Sequence, residues 1–102
     1  MSGALSDSMA RFRRMLAEQM PILRENYHVE TLGIFGSYVR NEQGPTSDLD
    51  VLVTFSQPPG LLQFVKLENY LSDLLGVKVD LVMREALKPH LGQQILAEVV
   101  GV

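Results

Sequence analysis

The spacing of apolar side chains divides the first third of the chain into a helix followed by a strand. Apolar residues recur every three or four positions between Met9 and Leu16, which predicts an amphipathic helix. Ser6 or Ser8 would cap this helix, and Pro21 would kink it or start a new turn. The apolar run that follows, Val29–Phe35, predicts a strand that ends at a Gly-Ser pair.

The same patterns predict two more strands and three more helices in the rest of the chain. The strands are Leu49–Phe55 and residues 77–83, both strongly apolar. The helices are Leu61–Leu75, residues 89–99, and a short one over residues 37–41 before a turn-rich stretch. The order αβαβαβα predicts an α/β fold of α+β character, with a small mixed β-sheet and helices mainly on one face.

Composition and charge argue against several kinds of function. With 102 residues, the chain is expected to form one domain over residues 1–102, with a single modest core. Its net charge of −3, with dispersed lysines and arginines, argues against direct nucleic-acid binding and against membrane attachment. There is no cysteine, which excludes disulfides, thiolate metal sites and thiol catalysis. The amino terminus lacks the apolar stretch of a signal peptide, so we expect a cytoplasmic protein.

Three aspartates are predicted to share one face of the sheet. Strand side chains alternate between faces, so Asp48 and Asp50 share a side, about 6.6 Å apart along the strand. By the same parity, Asp80 points away from the apolar set of its own strand. If both strands belong to one sheet, the three carboxylates converge and repel one another. A divalent cation that prefers hard oxygen ligands, magnesium or manganese, would relieve this repulsion.

A simpler interpretation of the same residues stays open at this point. Asp48 would then only close the turn at residues 43–47, and Asp50 would lie at a solvated edge of the sheet. The Gly36-Ser37 pair favours a binding site, because glycine lets a ligand approach the backbone and amide groups at such a turn point at phosphate. Ser37 could also serve only as a helix cap.

These residues resemble the signature of the DNA polymerase beta nucleotidyltransferase superfamily. The Gly-Ser pair at 36–37 is followed by ten residues and then by Asp-Leu-Asp at 48–50, with Asp80 further on in an apolar setting. The stretches GSYVRN, SDLDVLV, LLGVKVDLV and EALKPHLGQQILAEVV are especially similar to the minimal nucleotidyltransferase (MNT) group. The resemblance implies the nucleotidyltransferase fold. One departure is Asn41, where the family usually has glycine.

The resemblance also implies a catalytic role for the motif residues. In such enzymes the paired carboxylates bind two Mg²⁺ ions, a role that falls here to Asp48 and Asp50. The third carboxylate, matched by Asp80, ligates the catalytic metal, with or without a further role in deprotonating the acceptor hydroxyl. Gly36 and Ser37 would hold the outer phosphates of ATP.

Other residues near these motifs carry weaker predictions. Arg40 would contact phosphate, or would pair with Glu42 or with a helix end. Tyr38 would stack on a nucleotide base, or would simply be a partly exposed residue of the short helix. His28 and His90 lack a cluster of matching ligands and are expected at the surface or in turns.

MNT proteins that resemble this chain are commonly encoded beside a HEPN-domain protein, a helical ribonuclease toxin. The resemblance implies an antitoxin that assembles with this partner, transfers AMP from ATP to one of its tyrosines and thereby inactivates it. The alternative is an antitoxin that neutralises the HEPN partner by binding alone. The intact Asp48, Asp50 and Asp80 favour catalysis. Transfer to a small molecule is disfavoured, because such relatives usually need an added domain.

Overall fold

Three helices and a four-stranded sheet make up residues 6–102, the part of the chain that the computed structural model describes. The helices are α1 (Asp7–Tyr27), α2 (Leu61–Leu75) and α3 (Pro89–Glu98), with a short 3₁₀ turn at Arg84–Ala86. The strands are β1 (Val29–Phe35), β2 (Leu49–Phe55), β3 (Val79–Met83) and β4 (Val100–Gly101). Residues 1–5, part of the stretch in which a signal peptide was not expected, lie outside the described residues.

The sheet is mixed and has the spatial order β3, β2, β1, β4. β1 runs antiparallel to β2 and β4, whereas β2 and β3 are parallel and are joined by α2 as a crossover helix. The predicted fold class and mixed sheet are therefore confirmed, as are the bounds of β1, β2 and α2. β3 begins at Val79 and not at residue 77, because the chain first turns through Gly76 at φ +73°.

α1 is one helix whose apolar stripe covers a face of the sheet. Ser6 caps it, with its hydroxyl accepting from the Met9 N–H at 3.2 Å. The helix runs on through Pro21, which lies on its exposed side, so the start of a new turn predicted as one alternative does not occur. On that side, water can satisfy the carbonyl that proline leaves without a partner. No helix in the described part of the chain is long and apolar enough to cross a membrane.

The main core lies between α1, α2 and one face of the sheet. Ile34, Val51 and Leu81 are neighbours across three strands on this face, and all three are buried. The helices cover them with eight buried side chains: Met9, Phe12, Leu16, Met20, Leu23, Leu67, Leu71 and Leu75. Each fully buried aliphatic side chain stabilises the fold by roughly 1.5–3 kcal/mol relative to exposure. We call this side of the sheet the core face.

The opposite side of the sheet, called the site face below, carries Phe35, Asp50, Leu52 and Asp80. These residues alternate with the core residues along their strands. α3 lies over this side, and its Leu96 borders the sheet near Leu52. Two of the three described helices thus pack on the core face, in agreement with the predicted arrangement.

Residues 37–41 form a turn, and the predicted short helix is wrong. The Gly36 carbonyl accepts from the N–H groups of Val39 and Arg40, and the turn ends at Asn41 with φ +58°. A single turn makes too few hydrogen bonds to propagate as a helix. Asparagine suits position 41 because, after glycine, it is among the residues that best tolerate positive φ.

A two-residue strand follows α3, where the sequence had predicted only the end of a helix. Val100 and Gly101 of this strand, β4, pair with Ile34 and Gly33 of β1. The close packing depends on Gly33, since a Cβ at that position would lie 2.6 Å from Val99 Cγ2. β4 therefore fixes the end of α3 to the sheet beside the site face.

Candidate active site

The turn after β1 brings the backbone against the carboxylate of Asp50. Gly36 has φ +85°, a conformation that residues with a Cβ rarely adopt. A Cβ at Gly36 would press on Oδ2 of Asp50 and lie 3.0 Å from its Cγ. Glycine is therefore required here for two reasons, the direction of the turn and the close approach of Asp50.

Asp50 and Asp80 occupy matching positions on the adjacent parallel strands β2 and β3. The register pairs these two residues directly. Neighbours in register point to the same side of a sheet, so both carboxylates lie on the site face, as the strand parity predicted. Asp50 is partly buried, whereas Asp80 is exposed to solvent.

Hydrogen bonds between β3 and α2 hold the backbone on both sides of Asp80. The Val79 N–H donates to Ser72 Oγ, and the Leu81 N–H donates to Glu68 Oε2, both at 2.9 Å. β3 is an edge strand, and these bonds satisfy N–H groups along its outer side. The position of Asp80 is thus fixed by the sheet on one side and by a helix on the other.

Asp48 lies one residue before β2, and its carboxylate is 3.9 Å from Lys78 Nζ. The turn that precedes it is closed by Ser47, whose hydroxyl accepts from the Gly44 N–H at 2.8 Å. Because Ser47 closes this turn, the simpler interpretation of Asp48 as the turn-closing residue is wrong. Its side chain, 38% exposed, is available to a ligand.

The negative charges at the site act on one another. Burial, followed by the charges of Asp80 and Asp48, raises the pKa of Asp50 from 3.8 to about 6. Glu98 also raises this pKa, whereas the Arg40 guanidinium lowers it. Ionisation of Asp50 is therefore less favourable here than in an ordinary aspartate.

The donor set has the chemistry that Mg²⁺ prefers. Asp48, Asp50 and Asp80 offer hard carboxylate oxygens, and a divalent cation would offset the repulsion that raises the pKa of Asp50. Within residues 6–102, no three acidic, histidine or cysteine side chains are close enough together to form a complete metal site. All three aspartates suit Mg²⁺ by their chemistry, and Asp50 and Asp80 share the site face, while the three carboxylates stand apart in this structure.

Glu98, the last residue of α3, belongs to the site although the sequence analysis did not include it. Its Oε2 accepts from the Gly36 N–H at 2.7 Å. Both of its carboxylate oxygens accept from Arg40 Nη1 at 3.0 Å. No signal in the sequence singled it out, because a glutamate at the end of a helix has the pattern of an ordinary surface residue.

Arg40 makes ion pairs with Glu42 and with Glu98 at the end of α3, the contacts that were one of the two alternatives predicted from the sequence. Its Nε donates to Glu42 Oε1 at 3.0 Å, while Nη1 donates to Glu98. These bonds, with Glu42 the larger cause, raise the pKa of Arg40, so it stays fully charged. Among the described residues that line a cavity beside the Gly36 turn, Arg40 is the one with a positive charge.

A cavity of about 300 Å³ opens between the Gly36 turn and α3. One side is polar and the other largely apolar; the lining residues are Gly36, Arg40, Asp50, Glu98, Gln94, Phe35, Leu91 and Ile95. Of the six predicted site residues, the cavity joins Gly36, Arg40 and Asp50. Ser37 follows Gly36 in the turn, where its carbonyl accepts from the Glu42 N–H at 2.8 Å.

The other residues considered from the sequence, Tyr38, His28 and His90, contact the core or lie at the surface. Tyr38 packs edge-on against Phe12, with ring centroids 5.6 Å apart, so its ring contacts the core. Tyr38 is thus partly exposed, as its simpler interpretation predicted, but it lies in a turn and not in a helix. His28 is the exposed left-handed cap of α1, and His90 is exposed in the first turn of α3, both as predicted.

The sequence pattern of the nucleotidyltransferase domain family matches residues 16–101 of the chain. The protein belongs to this family of nucleotidyltransferases. The match extends from the middle of α1 to β4, so it contains every predicted site residue of this nucleotidyltransferase and also Glu98. The family and the enzyme class predicted from the Gly-Ser and Asp-Leu-Asp motifs are therefore confirmed.

Two related sequences connect this nucleotidyltransferase to protein adenylyltransferases. It is 51% identical over 80 residues to the protein adenylyltransferase MntA of Thermococcus cleftensis, covering 78% of this chain and 81% of that protein. It is 45% identical over 96 residues to MJ0128 of Methanocaldococcus jannaschii, which is provisionally named a protein adenylyltransferase. That alignment covers 93% of this chain and 98% of the relative.

Solved structures of similar fold agree with the MNT assignment. A provisionally assigned minimal nucleotidyltransferase superposes with a TM-score of 0.72 at 35% identity, over 92% of this chain and 91% of that one. A toxin–antitoxin complex with AMP-PNP gives 0.71 at 24% identity, over 87% and 70%. A complex of tri-AMPylated Shewanella oneidensis HEPN toxin with MNT antitoxin gives 0.59 at 20%, over 92% and 67%. The last two likenesses concern the fold.

Proposed function

We propose that this nucleotidyltransferase is the antitoxin of a HEPN/MNT pair, which transfers AMP from ATP to a tyrosine hydroxyl of its HEPN partner. The transfer would inactivate the ribonuclease toxin. The observation that carries the proposal is the contact between the Gly36 turn and Asp50, with Asp80 beside it in register. A turn whose amide groups could bind phosphate would then adjoin paired carboxylates, the arrangement that nucleotidyl transfer needs.

The turn would bind the outer phosphates of ATP. The Gly36 N–H points into the cavity side of the turn, the Ser37 hydroxyl follows it, and Arg40 adds a fixed positive charge. A backbone N–H and a guanidinium are strong, oriented donors toward phosphate oxygens. These groups would hold ATP with its α-phosphorus near the carboxylates of the site face.

Asp48, Asp50 and Asp80 would hold Mg²⁺, two ions when ATP is bound. Bound Mg²⁺ would lower the pKa of the acceptor hydroxyl and neutralise charge on the departing pyrophosphate. In the transfer, the tyrosine oxygen forms a bond to the α-phosphorus while the bond from that phosphorus to the bridging oxygen breaks. The proton of the hydroxyl passes to a site carboxylate or to water, and pyrophosphate leaves.

The exposure of Asp80 supports a macromolecular acceptor. The apolar side of the cavity is formed by α3, whereas Asp80 faces solvent at the edge strand. An acceptor tyrosine on another protein can therefore approach the carboxylates from the solvent side without a channel through this chain. The similarity to the protein adenylyltransferase MntA of Thermococcus cleftensis supports the same class of acceptor.

The test is transfer of label from α-³²P-ATP to the product of the neighbouring gene, in the presence of Mg²⁺. We expect label on the HEPN protein and loss of its ribonuclease activity. An Asp48→Asn, Asp50→Asn double variant should lose the transfer. Asp73→Asn, which removes one carboxylate from the exposed side of α2, is the control and should transfer normally.

The same experiment distinguishes catalysis from neutralisation by binding alone. If the double variant still suppresses the ribonuclease and no label appears with the parent chain, the antitoxin acts only by covering its partner. Replacement of the partner's tyrosines by phenylalanine tests the acceptor, because label that persists after all are replaced would rule out tyrosine.

A further inference from the structure

Glu98 occupies the place where the proposed function requires a phosphate. Its carboxylate accepts from the Gly36 N–H at 2.7 Å and from Arg40 Nη1 at 3.0 Å. These are two of the groups that would bind the outer phosphates of ATP. A carboxylate and a phosphate oxygen present the same kind of acceptor, and one N–H cannot donate fully to both.

The backbone of Glu98 is held firmly at this position. Glu98 ends α3, and the next residue, Val99, packs against Gly33 and donates its N–H to the Ile95 carbonyl. β4 then pairs with β1. The side chain, 25% exposed, therefore reaches the Gly36 turn from an anchored backbone, and it can leave the turn by rotation of its own torsions.

The charge balance of the site argues for displacement of Glu98 by nucleotide. Arg40 already pairs with two carboxylates, Glu42 and Glu98, and the negative charge of Glu98 also repels the carboxylate of Asp50. A triphosphate at the same turn would be repelled by the Glu98 carboxylate, which is already hydrogen-bonded to the Gly36 N–H and to Arg40. Like charges in such close proximity repel strongly in a partly buried site.

We propose that Glu98 is an internal anion that substitutes for phosphate at the Gly36 turn and must leave the Gly36 N–H when ATP binds. This inference rests on the proposed phosphate-binding role of that turn. Glu98 keeps the turn and Arg40 satisfied in the absence of nucleotide, and it lowers the affinity for ATP by competing for the same donors.

The test measures binding alone, in the absence of any partner protein, by titrating the chain with ATP and Mg²⁺ and separately with inorganic tripolyphosphate. Glu98→Gln keeps the shape of the side chain but removes its charge. This variant should bind both probes roughly tenfold more tightly, because it loses one charge-assisted hydrogen bond that competes with phosphate. Glu42→Gln is the matched control. It removes the other carboxylate from Arg40 without touching Gly36, so its affinity should stay within about twofold of the parent.

Equal or weaker binding by Glu98→Gln would overturn the proposal, and weaker binding would instead make Glu98 a residue that positions Arg40 for phosphate. Absence of binding by both the parent and Glu98→Gln would overturn it too. A wild-type measurement covers the case in which the variant does not fold. In the NMR spectrum of the parent chain, tripolyphosphate should shift both the Gly36 amide and the Glu98 carboxylate resonances, and an unmoved Glu98 carboxylate at saturation contradicts displacement.

The two proposals can fail separately. A chain that binds ATP more tightly after Glu98→Gln but transfers no AMP to its partner supports the internal anion and contradicts the adenylyltransferase activity. If AMP is transferred but Glu98→Gln gains no affinity, the adenylyltransferase activity is supported and the internal anion is contradicted.

Discussion

The core face and the site face of the sheet differ in what their residues contribute to folding. On the core face, Ile34, Val51 and Leu81 are buried under α1 and α2 among other apolar side chains. On the site face, Asp50 has a raised pKa, lies beside Asp80, and approaches Gly36 so closely that a Cβ there would have no room. Stability therefore comes mainly from one face, while the other holds charges that oppose folding and are kept for binding.

The largest expected effect is the loss of a core-face side chain. Leu71→Ala, at a fully buried position in the middle of α2, should lower the free energy of unfolding by about 2–5 kcal/mol. Leu91→Ala removes the same atoms from α3, where the side chain is 49% exposed and borders the cavity, and should cost less than about 1 kcal/mol. Urea denaturation followed by circular dichroism measures both values. Similar losses for the two variants would mean that the faces do not differ as described.

A second comparison separates backbone strain from crowding at the site face. Gly36→Ala must adopt φ +85° and also push Asp50 aside, so we expect a loss of about 2–3 kcal/mol together with loss of ATP binding. Gly76→Ala is the matched control, because Gly76 also has a positive φ, +73°, but a Cβ there meets open space. It should cost about 1 kcal/mol and leave ATP binding unchanged. Equal effects on stability would mean that Asp50 moves away from the turn easily.

The sequence was sufficient to predict the parts of the site that depend on local pattern. The apolar alternation in β2 and β3 gave the correct face for Asp50 and Asp80, because a strand has a period of two wherever it lies in a sheet. The bounds of α2 followed from its helical periodicity and from the glycines that flank it. These features are determined by neighbours within a few residues.

The parts that were missed depend on contacts between distant residues. Glu98 lies 62 positions after Gly36, and its role follows from β4, a strand too short to leave a pattern of its own. The turn at residues 37–41 was predicted as a helix, since its composition permits one turn of either kind. Its length was decided by the left-handed residues at its two ends, Gly36 and Asn41.

The charge on the site face should also appear in the pH dependence of stability. The folded protein binds a proton at Asp50 with a pKa of about 6, above the 3.8 of the ordinary side chain, so ionisation as pH rises through this range destabilises the fold. Asp50→Asn removes that cost. At pH 7 it should raise the free energy of unfolding by about 1 kcal/mol after solvent screening, and below about pH 4 the gain should vanish.

The control for this prediction is again Asp73→Asn, which removes an exposed carboxylate of α2 that is not among the charges acting on Asp50. Its stability relative to the parent should not follow the same pH profile. Addition of Mg²⁺ at pH 7 should raise the melting temperature of the parent and not that of Asp50→Asn. If the difference in unfolding free energy between Asp50→Asn and the parent is the same at pH 7 as at pH 4, the raised pKa of Asp50 is contradicted.

The smallest expected effect concerns Asn41, at the end of the Gly36 turn. Asn41→Gly should relieve the left-handed strain at φ +58° and stabilise the protein by at most about 0.5 kcal/mol, because glycine also increases the entropy of the unfolded chain. Asn41→Ala, which gains no such relief and loses the tolerance of asparagine for positive φ, should destabilise by about 0.5–1 kcal/mol. Thermal unfolding of the two variants against the parent gives the order glycine, asparagine, alanine. If alanine is tolerated as well as glycine, the turn does not depend on a left-handed residue at its end, and the boundary of the Gly36 turn must be set by the Arg40 ion pairs instead.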